Sequence, residues 1–291
     1  MDANRASRTA VLVCQGRAAA HGRIAPGQFA DPTAAAVLRD DELVAVQRVR
    51  EGAAPRGWGE RVEFEMVRAS AEVMVPRTVA IDDAVRARLA PQLVIMGAGL
   101  DGRAWRMPEL ADADVYEVDH PASQQDKRER LGALRRPLAK SLRFVPVDFT
   151  RDRLDPALAS AGHQDTVPTT WIWEGVVPYL GRAEVAATMD AVRGRSAPGS
   201  RVVVNYQSPS LSAGVGRLAA RAMTALARRP SPWATEPRRS SWTPTAMREL
   251  LDAYGFHVED DVDLLTLAEG LNLRPRQRGS LRTGRVAVAD R

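Results

Sequence analysis

Three glycines with the spacing Gly-x-Gly-x-x-Gly follow a short apolar run in the sequence LVIMGAGLDGRAW. They are Gly97, Gly99 and Gly102, and Ala98 lies between the first two. Glycine lets a backbone approach a ligand closely and accepts positive φ angles, so such a loop can hold a phosphate or a nucleoside. The spacing alone does not discriminate between these ligands.

Two acidic residues end the next two apolar runs and could bind a nucleoside. Asp119 ends VYEVD and is followed by His120. It lies about 20 residues beyond the glycines, where an acid can accept hydrogen bonds from ribose hydroxyls. Asp148 ends FVPVD and is followed by Phe149. A carboxylate there could bind an exocyclic amine, and the phenyl ring could flank an adenine.

A further acid, Asp101, lies inside the glycine loop. Its carboxylate would repel a pyrophosphate and attract a sulfonium cation. The loop also begins at residue 97 rather than near the start of the chain. These features favour S-adenosyl-L-methionine (SAM) over NAD as the ligand of the loop.

Short apolar runs that alternate with helical patterns predict an α/β fold with a parallel sheet. Seven candidate strands are QLVIMG, DVYEVD, LRFVPVDF, TTWIWEGV, SRVVVNYQ, HVEDDVDLLTL and RVAVAD. The first five are expected to be parallel. The last two lack an obvious helix between them and are expected to form an antiparallel hairpin at the edge. Ligands of such sheets bind at the carboxyl ends of the strands, where the glycine loop is expected.

The chain divides into a helical part, residues 1–90, and a sheet-forming part, residues 91–291, predicted to form one integrated domain. One helix is well delimited, because Thr243 predicts its N-cap, Pro244 its first turn and Gly255 its end. The insertion at about residues 208–241 is long for a connection. It predicts either a lid over the substrate or a packing elaboration.

Composition limits the classes of function. The net charge is +5, but arginine supplies it, since Lys127 and Lys140 are the only lysines. The last arginine cluster lacks the interleaved aromatic residues of a single-strand nucleic-acid platform. Cys14 is the only cysteine, which excludes an intramolecular disulfide and a cysteine-rich metal site, and no metal is expected.

No apolar run approaches the roughly 20 residues of a membrane span, and no signal peptide is expected. We therefore expect a cytoplasmic protein. Its expected partner is a small-molecule substrate, rather than a membrane or a nucleic acid. The composition does not indicate an oligomeric state.

The motifs taken together resemble the leucine carboxyl methyltransferase family. The resemblance runs from Ser7 to Leu180 and is carried by RTVAIDDAV, PQLVIMGAGLDGRAWRM, VYEVDHPASQQDKRERL, FVPVDF and TTWIWEGVVPYL. It is strongest to the bacterial branch, which includes polyketide carboxyl O-methyltransferases of the tetracenomycin type. The resemblance implies a class I, Rossmann-like methyltransferase fold with a seven-stranded sheet, a helical N-terminal cap and a lid insertion. It also implies SAM as cofactor and S-adenosyl-L-homocysteine (SAH) as product.

The resemblance assigns roles to individual residues. Arg77 matches the arginine that binds the SAM carboxylate, and Arg17 matches a second basic position near it. Glu174 is expected to face both the cofactor and the substrate cavity, and it is a candidate catalytic residue together with Tyr179. The full set of expected cofactor-binding residues is Arg17, Arg77, Gly97, Ala98, Gly99, Asp119, His120, Asp148, Phe149 and Glu174.

Substrate contacts are harder to assign. Tyr179 matches a pocket residue of the family. Tyr206 and Gln207 end the fifth candidate strand and could face the acceptor by position alone. Trp242 could line the pocket or pack the helix that it precedes. The sequence departs from the family at Gly102, where the family commonly has threonine.

Methyl transfer from a sulfonium is an in-line displacement. A carboxylate acceptor is already ionised at neutral pH, whereas a phenol or alcohol needs a general base. No histidine stands in an obvious catalytic position, which favours a carboxylate or an acidic hydroxyl. We expect a SAM-dependent O-methyltransferase of small molecules, in natural-product biosynthesis.

Four alternatives stay open at this stage. They are a nucleic-acid methyltransferase, a protein C-terminal carboxyl methyltransferase, an NAD-dependent oxidoreductase and a SAM-binding module without turnover. The segment WEGVVPY has no Pro-Pro motif of amino-methylating nucleic-acid enzymes, and no Tyr-x-x-x-Lys dyad of oxidoreductases is present.

Overall fold

The computed structural model describes residues 7–132, 136–209 and 239–291. The predicted insertion at about residues 208–241 therefore falls almost wholly outside the described residues, and its role as a lid stays a prediction. No helix in the described part is long and apolar enough to cross a membrane.

Four helices precede the sheet: α1 Arg8–Ala20, α2 Thr33–Ala36, α3 Asp40–Glu51 and α4 Trp58–Ala87. They share a core that includes Leu12, Phe29, Val46 and Val67. Helix α4 is 30 residues long and carries Arg77 and Asp82 on buried positions. The helical character predicted for the first part of the chain is found, and its separation as a cap remains a prediction.

Seven strands form one mixed sheet. Their bounds are β1 Gln92–Met96, β2 Asp114–Asp119, β3 Ser141–Pro146, β4 Thr169–Trp173, β5 Arg201–Gln207, β6 His257–Asp263 and β7 Gly284–Asp290. The strand order is β3-β2-β1-β4-β5-β7-β6. Strands β1 to β5 are parallel, and β7 is antiparallel to both β5 and β6. The seven predicted strands and the predicted fold class are confirmed.

The remaining described helices are α5 Arg103–Arg106, α6 Pro121–Leu131, α7 Leu154–Ser160, α8 Arg182–Gly194, α9 Pro244–Ala253, α10 Leu264–Gly270 and α11 Arg278–Thr283. Helix α9 begins and ends as predicted. The Thr243 hydroxyl accepts a hydrogen bond from the backbone N–H of Ala246 at 3.1 Å, and Gly255 has a φ of +80°.

The connection between β6 and β7 differs from the sequence prediction, because it contains two short helices, α10 and α11. The run HVEDDVDLLTL is a strand only as far as Asp263. The Asp263 carboxylate accepts hydrogen bonds from the backbone N–H groups of Leu265 and Thr266 at 3.1 and 3.0 Å. This N-cap converts the apolar end of the run into the first turn of α10.

The two faces of the sheet are buried against different helices. One face, with Val94, Trp171 and Trp173, packs against α7, α8 and α9. The other, with Leu93 and Ile172, packs against α4, α10 and α11. Both tryptophans lie in the core. Strand order reverses between β1 and β4, so the carboxyl ends of these two strands open the crevice where ligands of such sheets bind.

Candidate active site

The glycine loop follows β1 at the reversal point. The backbone N–H groups of Gly97 and Ala98 both donate to the carbonyl of Val118, at 2.7 and 3.1 Å. Gly97 and Gly99 have φ angles of +69° and +49°. A Cβ on Gly97 would overlap the side chain of Val176. The loop thus needs glycine at residue 97 for both conformation and space.

Asp119 lies directly against this loop. Its carboxylate accepts hydrogen bonds from the backbone N–H of Gly99 at 2.5 Å and from that of His120 at 2.6 Å. Burial raises the pKa of the Asp119 carboxyl, although both hydrogen bonds oppose the change. The end of β2 and the glycine loop therefore form one connected rim.

The end of β3 adds the second predicted acid. The Asp148 carboxylate accepts from the hydroxyl and the backbone N–H of Thr150, at 2.7 and 2.9 Å, and the hydroxyl hydrogen bond lowers its pKa. The Nε2 atom of His120 lies 4.0 Å from Asp148 Oδ2. Phe149 is half-buried against the core. The structure thus brings together the residues predicted to bind ribose and adenine.

Glu174 follows β4 and lies between two arginines. Its Oε1 is 2.8 Å from Arg77 Nε, and its Oε2 accepts from Arg103 at 2.9 Å. Burial acts to raise the pKa of Glu174, but the charges of Arg77 and Arg103 outweigh it and lower the pKa to about 2. Glu174 is therefore an anion at neutral pH and a weak proton acceptor.

Arg103 is a site residue that was not predicted from the sequence. Its side chain is 2% exposed and forms ion pairs with Asp82 at 2.7 Å, with Glu174, and with Asp101. The spacing Asp101-x-Arg103, which encloses the last glycine of the loop, is the sequence pattern that could have indicated it. The Asp101 carboxylate in the loop thus holds an arginine, and the Asp101 pKa lies below its ordinary value despite burial.

Arg17 is buried, and its guanidinium contacts the chain itself. Its Nε donates to Asp31 Oδ2 at 2.8 Å, and its terminal nitrogen donates to the Leu100 carbonyl at 2.7 Å. Arg106 extends the same network, with hydrogen bonds to Asp82 at 2.5 and 3.0 Å. The positions of Asp31, Asp82 and Arg106 in the site were not predicted from the sequence. Arg17 links α1 to the loop, whether or not it also contacts a ligand.

Gly102 stands where the family commonly has threonine, and another threonine, Thr33, lies beside it. A Cβ at residue 102 would overlap the hydroxyl oxygen of Thr33. The same hydroxyl donates to Asp31 Oδ1 at 2.7 Å. Thr33 from the helical part therefore fills the space beside the loop that a side chain at residue 102 would need.

The predicted substrate contacts occupy different surroundings. Tyr179 is half-buried in a 3₁₀ turn, Val177–Tyr179, shortly after Glu174. Tyr206 is fully buried, and its hydroxyl donates to Asp261 at 2.7 Å and accepts from Arg285 at 3.1 Å. Burial and the Asp261 hydrogen bond raise the pKa of Tyr206. Its hydroxyl is thus held by β6 and β7.

Gln207 and Trp242 lie beside each other near the end of β5. The Gln207 side chain accepts a hydrogen bond from the Thr283 hydroxyl at 3.2 Å. The backbone carbonyl of Gln207 accepts one from the backbone N–H of Trp242 at 2.9 Å. The Trp242 ring is buried in the core and lies 4.4 Å from the guanidinium carbon of Arg182. Trp242 packs at the start of α9, which was one of its two expected roles.

The four histidines cap a helix, accept a backbone hydrogen bond, lie buried or lie exposed. His120 caps α6 by accepting from the backbone N–H of Ala122 at 3.2 Å, and His21 accepts from the N–H of Asp31. His163 is buried, and burial lowers its pKa to about 4. His257 is exposed.

Comparison with known proteins places this geometry in a family. The model of the leucine carboxyl methyltransferase family matches residues 10–193. A candidate SAM-dependent methyltransferase of Mycobacterium sp. (strain JLS) is 33% identical over 214 residues, which cover 74% of this chain and 70% of that protein. Another, from Mycobacterium marinum, is 36% identical over 208 residues, covering 70% and 67%.

Solved structures agree at the level of the fold. A candidate methyltransferase from Thermobifida fusca superposes with a TM-score of 0.56 at 14% identity and covers 99% of this chain and 95% of its own. A DUF574 family protein from Streptomyces avermitilis gives a TM-score of 0.55, also at 14% identity, with 98% of each chain covered. The chain belongs to the leucine carboxyl methyltransferase family and is a SAM-dependent methyltransferase.

Proposed function

We propose that the chain transfers the methyl group of SAM to a carboxylate of a small molecule, forming a methyl ester, in natural-product biosynthesis. The observation that carries this proposal is the state of Glu174, the acid that directly follows β4. Its pKa of about 2 makes it a poor general base at neutral pH. An acceptor that arrives already ionised needs no such base.

Several other side chains that could accept a proton are engaged in contacts within the described part of the chain. Lys127 is buried and donates a hydrogen bond to Glu117. Burial raises the pKa of the Cys14 thiol to about 12. Tyr116 and Tyr254 donate their hydroxyls to the carbonyls of Gly162 and Ala186. Together with the four histidines, these placements favour an acceptor that is an anion by itself.

The buried charges fit the amino-acid end of SAM. Burial lowers the pKa of Arg77, although the charge of Glu174 opposes the change. Arg77 Nε lies 2.8 Å from Glu174 Oε1, and its N–H is not aligned for a hydrogen bond with any described residue. A ligand carboxylate would complete the solvation of Arg77, while Glu174 would accept from the ligand ammonium.

The remaining roles follow from position. Asp119 would bind the ribose hydroxyls, and Asp148 with Phe149 would bind the adenine. SAM supplies an electrophilic methyl group when it is bound. The protein would hold the acceptor carboxylate in line with the carbon–sulfur bond, with Tyr179 as a hydroxyl donor to the acceptor. Alignment and exclusion of water are worth up to roughly 7–11 kcal/mol in such reactions.

Calorimetry tests the cofactor site. We expect wild type to bind SAH and SAM but not NAD, and Asp119→Ala to weaken SAH binding by at least tenfold. Asp112→Ala, a change of an exposed acid on the loop before β2, is the matched control and should bind as wild type does. NAD binding without SAH binding would refute the assignment of the loop.

An acceptor screen tests the reaction. Incubation with methyl-labelled SAM and a panel of carboxylic acids, phenols and alcohols should label the acids, and alkali should release the label as methanol. The rate at limiting acceptor should stay flat from pH 6 to 9, since a carboxylate is ionised throughout this range. Alkali-stable products with a rate that rises with pH would instead indicate a hydroxyl acceptor and a general base.

A further inference from the structure

Lys127 is a buried cation for which the proposed reaction has no use. It lies in α6, is 1% exposed, and its Nζ donates to Glu117 Oε2 at 2.5 Å and to the carbonyl of Asp101 at 2.7 Å. The same nitrogen lies 5.5 Å from the ring centre of Trp105. The only other lysine, Lys140, forms an exposed ion pair with Asp114 at 3.0 Å.

Stability alone does not explain the buried pair. Glu117 is 0% exposed, and its Oε1 accepts no hydrogen bond from any described residue. Burial raises the pKa of Glu117 to about 7, although the charge of Lys127 opposes this change. Replacing such a pair by apolar side chains is often neutral or stabilising, because desolvation of two ions costs more than their attraction returns.

The contacts of Lys127 join the two parts of the proposed cofactor rim. Asp101 lies in the glycine loop, and Glu117 lies two residues before Asp119 on β2. A second buried cation, Arg17, donates to the neighbouring carbonyl, that of Leu100, from the helical part. Two consecutive carbonyls of the loop are therefore each held by a cation from a different element.

We propose that Lys127 is a positioning residue that holds the glycine loop against β2 at the separation that the cofactor requires. It would act through the Asp101 carbonyl and would touch neither SAM nor the acceptor. This inference rests on the proposed placement of the cofactor at the loop. A hydrogen bond from a charged donor to one carbonyl is strong enough for its loss to weaken binding by about tenfold.

The test replaces the pair by apolar residues in the double variant Lys127→Met/Glu117→Leu. We expect a melting temperature close to that of wild type, SAH affinity about tenfold lower, and faster hydrogen exchange in the peptide that contains residues 97–107. Lys140→Met is the matched control and should change none of these. Glu117→Gln keeps Lys127 on the Asp101 carbonyl, so its SAH affinity should fall by no more than about twofold.

Two results would overturn the inference. One is a folded double variant that binds SAH within twofold of wild type. The other is a loss of SAH affinity of about tenfold or more in Glu117→Gln, and this second variant decides the matter if the first does not fold. Asp119→Ala separates the two proposals, because its failure to weaken SAH binding would remove the cofactor from this rim and both proposals would fail.

Discussion

Replacing Glu174 by glutamine tests whether its carboxylate neutralises two buried arginines. The side chain is 10% exposed and lies 2.8 Å from Arg77 and 2.9 Å from Arg103. Glutamine keeps the shape and removes the charge. The change therefore isolates the electrostatic contribution of the carboxylate, because packing around residue 174 is preserved.

The magnitude follows from the pKa of Glu174, which falls from an ordinary 4.5 to about 2 in the folded chain. At 1.36 kcal/mol for each pKa unit, this difference is worth about 3 kcal/mol of unfolding free energy. Because the folded pKa is the lower one, the contribution is fully present above pH 4.5 and is lost as the pH falls towards 2. At pH 7 we expect Glu174→Gln to be less stable by about this amount, which corresponds to a melting temperature roughly 6–10 °C lower.

Chemical denaturation of wild type and variant at pH 7, 5.5, 4.5 and 3.5 measures both the difference and its pH dependence. The gap in unfolding free energy should narrow below pH 4.5. Glu184→Gln is the control, because Glu184 forms an exposed ion pair with Arg239 and such pairs contribute little. Equal stability of variant and wild type at pH 7, or an undiminished gap at pH 3.5, would refute the role given to the Glu174 charge.

Three further predictions concern other parts of the site and core. Gly97→Ala should cost about 1–3 kcal/mol in backbone strain, because the residue has a positive φ and its new Cβ would overlap a methyl group of Val176. Calorimetry should then detect no SAH binding. Near-normal binding would contradict the loop geometry. Gly102→Ala should lower the melting temperature, because its Cβ would overlap the hydroxyl of Thr33. Adding Thr33→Ala to the same chain should restore part of the loss. If the two changes lower the melting temperature additively, the overlap is excluded. Burial lowers the pKa of His163 to about 4, so the unfolded chain binds the proton more strongly and stability should fall as the pH drops from 6.5 to 4. His163→Gln should flatten that part of a pH–melting profile, and an unchanged slope would contradict the burial.

Most of the sheet could be predicted from the sequence because its strands are short and bounded by turn residues. Strands β1 and β4 are buried at every position, and their letters are apolar from Leu93 and from Trp171 to the strand ends. The helices between β6 and β7 could not be predicted in the same way. There a strand and a helix share one unbroken run of letters, and the boundary is set by a single capping carboxylate, that of Asp263.

The site was predictable to the extent that its residues end strands. The glycines, Asp119 and Asp148 follow β1, β2 and β3, and parallel strands bring their carboxyl ends to one edge. The ion network follows no local pattern. Arg103 pairs with Asp82, 21 residues away, and with Glu174, 71 residues away. Only packing of the helical part on the sheet brings these charges together.

The buried charges beneath the glycine loop also bear on which cofactor the loop accepts. Among the described residues the network is balanced, with four arginines and four carboxylates: Arg17, Arg77, Arg103, Arg106, Asp31, Asp82, Asp101 and Glu174. The amino-acid end of SAM is a zwitterion, so it can exchange partners with Arg77 and Glu174 without adding net charge. A pyrophosphate would add two negative charges beside Asp101 and Glu174, in surroundings where an uncompensated ion is costly. The network that fixes the helical part to the sheet thereby also disfavours a dinucleotide, although the glycine spacing alone would admit one.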